Sequence, residues 1–443
     1  MNPTPAWKRR GMRTAIACQC LGTVANKITE SGLLILYMSA LTMSPARILF
    51  YLSLFSLTAT VMTLGASYLA DRTGIKPLGL GGVGSIGAAL LCRAGGGFGP
   101  AAWRGPLLGA CIIMMSAGGS LFGGGWFALL HGLVPPGMRG RFVGRLRIST
   151  RTTNLAAMVL LTFLLHEDSP VFLFQVILAV LSVSAVLRLA VYARIPDSSP
   201  PAEHHGGLAA AVSTLVRAPG FIRFLVYVLI LSLCTRNMNS LLLLFDKDVL
   251  GFGDNLVIFM NIAFSIGAIS GLVIAGKSVD RYGTRRVLVL SHFAFVLAFG
   301  LVYLRGFFSP PLQVGLMAIV HLMHGAILLG AGVAVTAEML ALIPADKKAL
   351  ASGLYISVLR LGIALAGFLS AWFIKSRIAL PISFNGLNRL NTYDSLILLS
   401  CVTLAALVFL PGALPSVRKK PAELSDDPRD HISASDTSHS EQT

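Results

Sequence analysis

Two stretches decide the fold: GASYLADRTGIKP, Gly65 to Pro77, and GKSVDRYGTRRV, Gly276 to Val287. Each joins one apolar run to the next. Aligning Asp71-Arg72-x-Gly74 on Asp280-Arg281-x-Gly283 gives an offset of 209 residues. The same offset carries Pro135 in VPPGMRGRFVG onto Pro344 in IPADKKALASG, and Gly144 onto Gly353. Two junctions in one register read as an internal duplication. Repeated bundles related by an axis along the membrane normal are a transporter architecture.

The bulk composition agrees. Of 443 residues, 55% are hydrophobic and 12% charged, about half the charged share of a soluble globular protein. So little charge cannot cover the surface of a chain this long, and lipid must be part of its solvent. Apolar runs able to cross a ~30 Å core as helices recur near 14–41, 46–70, 77–98, 106–131, 142–165, 170–193, 221–244, 254–276, 286–304, 312–340, 351–373 and 393–412. They lack the dyad alternation of barrel strands, and lipid offers backbone groups no partners. The expected fold class is therefore an all-α membrane protein, with twelve transmembrane helices in two pseudo-symmetric six-helix bundles. The bundles are expected over 1–193 and 221–412. A cytoplasmic loop at 194–220, containing IPDSSPPAEHHGG, joins them, and the polar tail at 413–443 reads as disordered. The first run is too long for a signal-peptide core and is expected to remain as span 1.

A net charge of +17 would suggest nucleic acid in a soluble chain. Here the basic residues lie between apolar runs without interleaved aromatics, which argues against a nucleic-acid partner. Arg9, Arg10, Arg13, Arg72, Lys76, Arg139, Arg141, Lys277, Arg281, Arg285, Lys347 and Lys348 fall on one side of the alternating layout. The opposite loops are poorer in cations and hold Glu167–Asp168 and Asp246/Asp248. Both termini are thus expected in the cytoplasm, and the compact loops suggest a bacterial inner membrane. The six cysteines lie in apolar runs, without metal-site or disulfide-framework spacing.

At the junctions the chain resembles the major facilitator superfamily, whose loop motif has the form G-x-x-x-D-R-x-G-R-R. The second copy carries Gly276, Asp280, Arg281, Gly283, Arg285 and Arg286, with Thr284 ahead of the basic pair. The first copy has Ser67 in place of the leading glycine and Ile75 in place of the first basic residue. The resemblance covers essentially the whole chain. It implies a secondary transporter and carries almost no information about substrate. Asp71 and Asp280 can accept from N–H groups at a neighbouring helix N-terminus. Arg72 and Arg281 are then held at the inner surface beside Gly74 and Gly283, and Glu338 is a candidate partner for Arg281. The resemblance implies that these contacts hold the outward-open state and break as the halves rock.

The register also explains a polar stretch inside span 1, TVANKITESG, Thr23 to Gly32. Lys27 maps onto Arg236, Thr23 onto Ser232 and Glu30 onto Asn239. Each trio shares one helix face, and Lys27 falls about 20 Å along the span. Arg151 maps onto Arg360 in the same way, each about 13 Å into its span. A cation within the bilayer costs about 2.5–3.5 kcal/mol even on lenient scales, so four together approach roughly 10 kcal/mol. A cost repeated in both halves argues for a water-filled cavity, which the resemblance expects spans 1, 4, 7 and 10 to line, with spans 5 and 11 approaching. Span 10 adds His321 and His324, able to carry a proton or a substrate hydrogen bond.

The excess of cations predicts an anionic substrate, exchanged with or accompanied by protons or a counter-solute. Opposed cations on spans 1 and 7 resemble organophosphate:phosphate antiporters in position only, since a lysine is a point charge and not a bidentate fork. Bland alternatives stay open. Lys27 and Glu30 can neutralise each other, Arg151 and Arg360 can reach the inner surface, and the histidines can join helices. Arg188 reads as snorkelling, and AGGSLFGGGW in span 4 as close helix packing. No cofactor is expected, and no G-x-x-x-x-G-K-[ST] phosphate loop or catalytic cluster suggests an enzyme. Carriage of a neutral solute or drug, and a transporter-like receptor without flux, are the competing functions.

Overall fold

The computed structural model describes residues 6–26, 32–96, 100–134, 139–166, 169–196, 220–342, 348–380 and 390–408. Lys27, Glu30, nearly all of the joining segment and the tail lie outside them. Regular structure among the described residues is entirely helical. Span 1 is two helices, Ala6–Ala25 and Leu33–Ala40. Spans 2 to 6 are Pro45–Thr73, Ile75–Gly96, Ala101–Leu133, Arg139–Leu164 and Val171–Ala193. The second half repeats the plan. Span 7 is again divided, into Phe221–Thr235 and Met238–Asp248, and spans 8 and 9 are Asp254–Tyr282 and Thr284–Gly300. Span 9 tightens into a 3-10 turn over Leu301–Phe307, and spans 10 to 12 are Pro310–Leu342, Lys348–Lys375 and Thr392–Leu407. An even number of crossings puts both ends of the bundle on one face, called the terminal face below; the opposite one is the far face.

The break in span 1 corrects the expectation of one continuous helix. Gly32 restarts the chain at φ 75, a left-handed conformation that costs glycine little and other residues 1–2 kcal/mol, roughly. The break in span 7 falls in TRNMNS, where Thr235, two asparagines and Ser240 weaken helical propensity.

The junction motifs are shorter than loops. Helix persists through Asp71, Arg72 and Thr73, turns at Gly74 with φ 91, and resumes at Ile75. Likewise Asp280, Arg281 and Tyr282 end span 8, and span 9 starts at Thr284. Gly283 bridges the two at φ 80, ψ 162, a region essentially confined to glycine. The Gly283→Ala variant is therefore expected to lose about 1–3 kcal/mol of stability. Thermal unfolding in detergent measures this, and an unchanged midpoint would show that the turn relaxes freely.

Packing within each half relies on small residues. A Cβ on Gly267 or Gly271 would sit 1.9 or 2.0 Å from the Leu322 or Ala326 carbonyl oxygen, so spans 8 and 10 touch backbone to backbone. Gly118, in the glycine-rich part of span 4, bears on the Gly82 carbonyl of span 3 in the same manner. On the far face, Arg305 Nη2 lies 2.7 Å from Asp394 Oδ2, and both side chains are buried. Asp394 also completes a capping box with Asn391 at the start of span 12.

The halves meet along a seam. Phe50 of span 2 lies 5.5 Å from Phe368 of span 11. Below them a Cβ on Gly367 would meet the Ser53 hydroxyl at 2.0 Å, so any side chain there would have to turn that hydroxyl away. Ser265 of span 8 points its hydroxyl at the Met158 sulfur of span 5, 3.5 Å away. These contacts all lie on the far side of the midplane.

Candidate functional site

Between the halves lies a cavity of about 340 Å³, the size of a small-molecule site. The first half contributes Asn26 at the break in span 1, Ser56 of span 2, and Ser116, Gly119 and Ser120 of span 4. The second half contributes Arg236, Asn237 and Ser240 of span 7 and Arg360 of span 11. Hydroxyls and an amide thus line both halves of the wall, while both guanidinium groups come from the second half. Leu52, Phe55, Ile86, Met115 and Ile363 supply the apolar remainder.

The break in span 7 sets this geometry. Arg236 still donates its N–H to Ser232, 3.1 Å away, and helical bonding resumes with Leu241 on Asn237. The Thr235 carbonyl, freed at the break, accepts from His324 Nε2 at 2.9 Å. A buried carbonyl left unpaired would cost about 1–3 kcal/mol, so His324 stabilises the break. Arg236 reaches two cavities, the central one and a smaller apolar recess against span 10 near Gly332 and Tyr355.

Among the described residues neither Arg236 nor Arg360 has an ion-pair partner. The two guanidiniums share the wall of one cavity, where like charges repel. Removing water from like charges without pairing them is unfavourable, and an anion between them relieves both costs.

Other expected site residues fall elsewhere. Asn239 donates to Asn261 Oδ1 at 3.2 Å and so ties span 7 to span 8 instead of facing the cavity. Arg151 is exposed on span 5 and is not on the wall. His321 and His324 are fully buried away from the cavity. His321 Nε2 lies 2.8 Å from Asp246 Oδ2, and both side chains are 0% exposed. Asp246, expected in a loop, is thus an interior residue of span 7, because the second helix of that span continues to Asp248. Among the described residues span 10 lines the recess beside Arg236 and not the central cavity, while spans 2 and 3 join the cavity wall.

Two further expectations are corrected. Glu338 accepts from the Thr284 hydroxyl at 2.6 Å, while Arg281 is exposed and lies over the Tyr282 ring at 5.3 Å. The Arg281–Glu338 pair is not formed, because Gly283 turns the chain so that Thr284, three residues on, is the group facing Glu338. Arg285 is exposed as well. Gly276 lies in span 8 with open space around its Cβ direction. The side chains of Asp71, Arg72 and Asp280 lie outside the described residues. Arg188 does not snorkel. It is 2% exposed and stacks on Phe122 with Cζ 4.1 Å from the ring centre. Gly22 makes the room, since a Cβ there would sit 2.5 Å from that Cζ. Arg93 of span 3, fully buried beside Met115, was not singled out by the sequence.

The hydroxyl wall was also missed. Isolated serines in apolar runs give no periodic signal, although Asn237 and Ser240 lie within four residues of Arg236.

Comparison with known proteins follows the same outline. The family model for the Major Facilitator Superfamily matches residues 15–367. A mutant form of the nucleoside transporter NupG superposes with a TM-score of 0.71 at 16% identity, over 93% of this chain and 100% of that one. A D-xylose-proton symporter gives 0.67 at 14% identity, over 92% and 98%. A POT family transporter in complex with 5-aminolevulinic acid gives 0.70 at 12%, over 92% and 97%. No curated protein matches significantly. Identities this low speak for the fold, and the substrates named differ from one structure to the next.

Proposed function

The chain belongs to the major facilitator superfamily, and from that premise we propose that it is a secondary transporter of a small, hydroxylated organic anion. The observation that carries the reading is the pair Arg236 and Arg360, unpaired among the described residues, on the wall of the central cavity. Two guanidiniums offer planar, multi-donor recognition of a carboxylate or phosphate. Ser56, Ser120 and Asn26 line the same cavity with groups suited to hydroxyls. Such a solute touches both halves at once, so rocking the halves around it exposes the cavity to each side in turn. Lys27, next to Asn26 in the sequence, would add a third cation under this reading. The terminal face is assigned to the cytoplasm of a bacterial inner membrane, on the distribution of Lys and Arg.

The test is a thermal-stability screen of the purified protein against carboxylates, phosphate esters, neutral sugars and amines. Hydroxylated anions are expected to raise the unfolding midpoint. Stabilisation by sugars or amines alone would replace this reading with a neutral-solute or drug carrier.

Proton coupling is assigned to the His321–Asp246 pair. A histidine and a carboxylate in contact inside the span are the pairing that proton relays of membrane carriers use. The nearby ionic groups are otherwise engaged: Arg305 by Asp394, and Asp248 by the Tyr393 hydroxyl at 2.6 Å. In proteoliposomes, Asp246→Asn is expected to abolish the dependence of uptake on a pH gradient while ligand stabilisation persists. A gradient response equal to wild type would remove the pair from the coupling mechanism.

A further inference from the structure

We propose a second binding site, for an anionic phospholipid, in the seam between spans 2 and 11 at the far face. A cavity of about 490 Å³ opens there, with Arg47 and Phe50 on the first half and Phe368, Trp372 and Lys375 on the second. Among the described residues no acidic side chain lines it.

The depths of these residues match those of a lipid. Arg47 is the third residue of span 2 and Lys375 the last of span 11, so both charges sit at the same membrane boundary. Phe50 and Trp372 lie about one turn further in, and Phe368 about two. Two cations at headgroup level thus stand above an aromatic floor at acyl level. Arg47, Trp372 and Lys375 are exposed, and neither cation has an ion pair among the described residues. Arg377, two positions past Lys375, is exposed too. A phosphodiester between the cations with a chain along the rings satisfies both features. A soluble phosphate would leave the aromatic floor in contact with water, and a zwitterionic lipid would bring its own cation to a basic site. Each cation near a membrane surface favours an anionic lipid by roughly fivefold.

The consequence is conformational. Arg47 and Lys375 belong to different halves, and Phe50 and Phe368 already meet beneath them. A headgroup touching both cations ties the halves together where the seam is closed. Because a ligand shifts an equilibrium only by its differential affinity, this lipid favours the arrangement closed at the far face and opposes its opening. The proposal does not depend on the nature of the transported solute.

The test uses the delipidated full-length protein and native mass spectrometry. Dioleoylphosphatidylglycerol, dioleoylphosphatidylcholine and glycerol phosphate are the probes. The wild type is expected to retain one phosphatidylglycerol under conditions that strip phosphatidylcholine. The double variant R47Q/K375Q should bind it roughly 25-fold more weakly, from two cations at about fivefold each. Trp372→Ala should also weaken retention, with both cations intact. If the double variant does not purify as a monodisperse species, Lys375→Gln alone carries the test with about a fivefold loss. Equal retention of phosphatidylglycerol by wild type and charge variants overturns the proposal, as does equal retention of phosphatidylcholine by the wild type. Displacement of the lipid by equimolar glycerol phosphate would reassign the site to a soluble anion.

Discussion

Arg236→Gln is expected to abolish ligand-induced stabilisation and uptake while leaving the protein folded. Truncating one charged partner of a buried anion contact costs about 2–5 kcal/mol, or roughly 30-fold and more in affinity. Arg236→Lys should fall between, because an ammonium keeps the charge but loses the planar fork. The unliganded protein gives an independent reading. Arg236 has no counter-ion among the described residues and shares a cavity wall with the like-charged Arg360. Removing it should therefore leave the unliganded melting temperature unchanged or raise it, as for a functional group kept at some expense to stability. Arg360→Gln should behave alike. A variant that melts early and binds poorly would instead make Arg236 a structural residue, and full activity without it would end the anion reading.

The largest expected loss of stability lies elsewhere, at Asp394. Its carboxylate meets Arg305, whose guanidinium also lies 4.9 Å over the Phe245 ring, and it caps span 12 through Asn391. Asp394→Ala leaves a buried guanidinium without its counter-ion and removes half of the capping box. The expected cost is about 3–5 kcal/mol for the ion and about 1 kcal/mol for the cap. Replacing both partners with apolar residues of similar volume should recover much of that loss, because the stranded charge carries most of the penalty. Thermal unfolding of the two variants side by side makes the comparison. Equal destabilisation of the single and double variants would show that the pair contributes by shape and not by charge.

These two sites differ in how they could be read from the chain. Arg236 and Arg360 were visible because a cation inside an apolar run is costly, and a constant register pointed to each. Arg305 and Asp394 are separated by two whole spans, and nothing in either neighbourhood names the other. His321 and His324 share a helix face, yet one meets a carboxylate and the other a freed carbonyl. That difference depends on where span 7 breaks, and not on the spacing of the histidines. Asn239 shared a predicted stripe with Arg236 only on the assumption of an unbroken helix. Once the helix breaks at residues 236 and 237, Asn237 and Ser240 turn to the cavity and Asn239 turns to Asn261.

By itself the sequence determined the class of solvent, the helical class, the duplication and the presence of charge within the bilayer. These follow from composition and period, which are properties of neighbouring residues and of a register counted along the chain. Only the tertiary structure decided which buried charges are paired, which face a cavity, and which polar residues serve the backbone. Pairing depends on distances of a few ångströms between segments far apart in sequence, and those distances are set by helix breaks and by backbone contacts at Gly267 and Gly271. No pattern along a single helix contains that information.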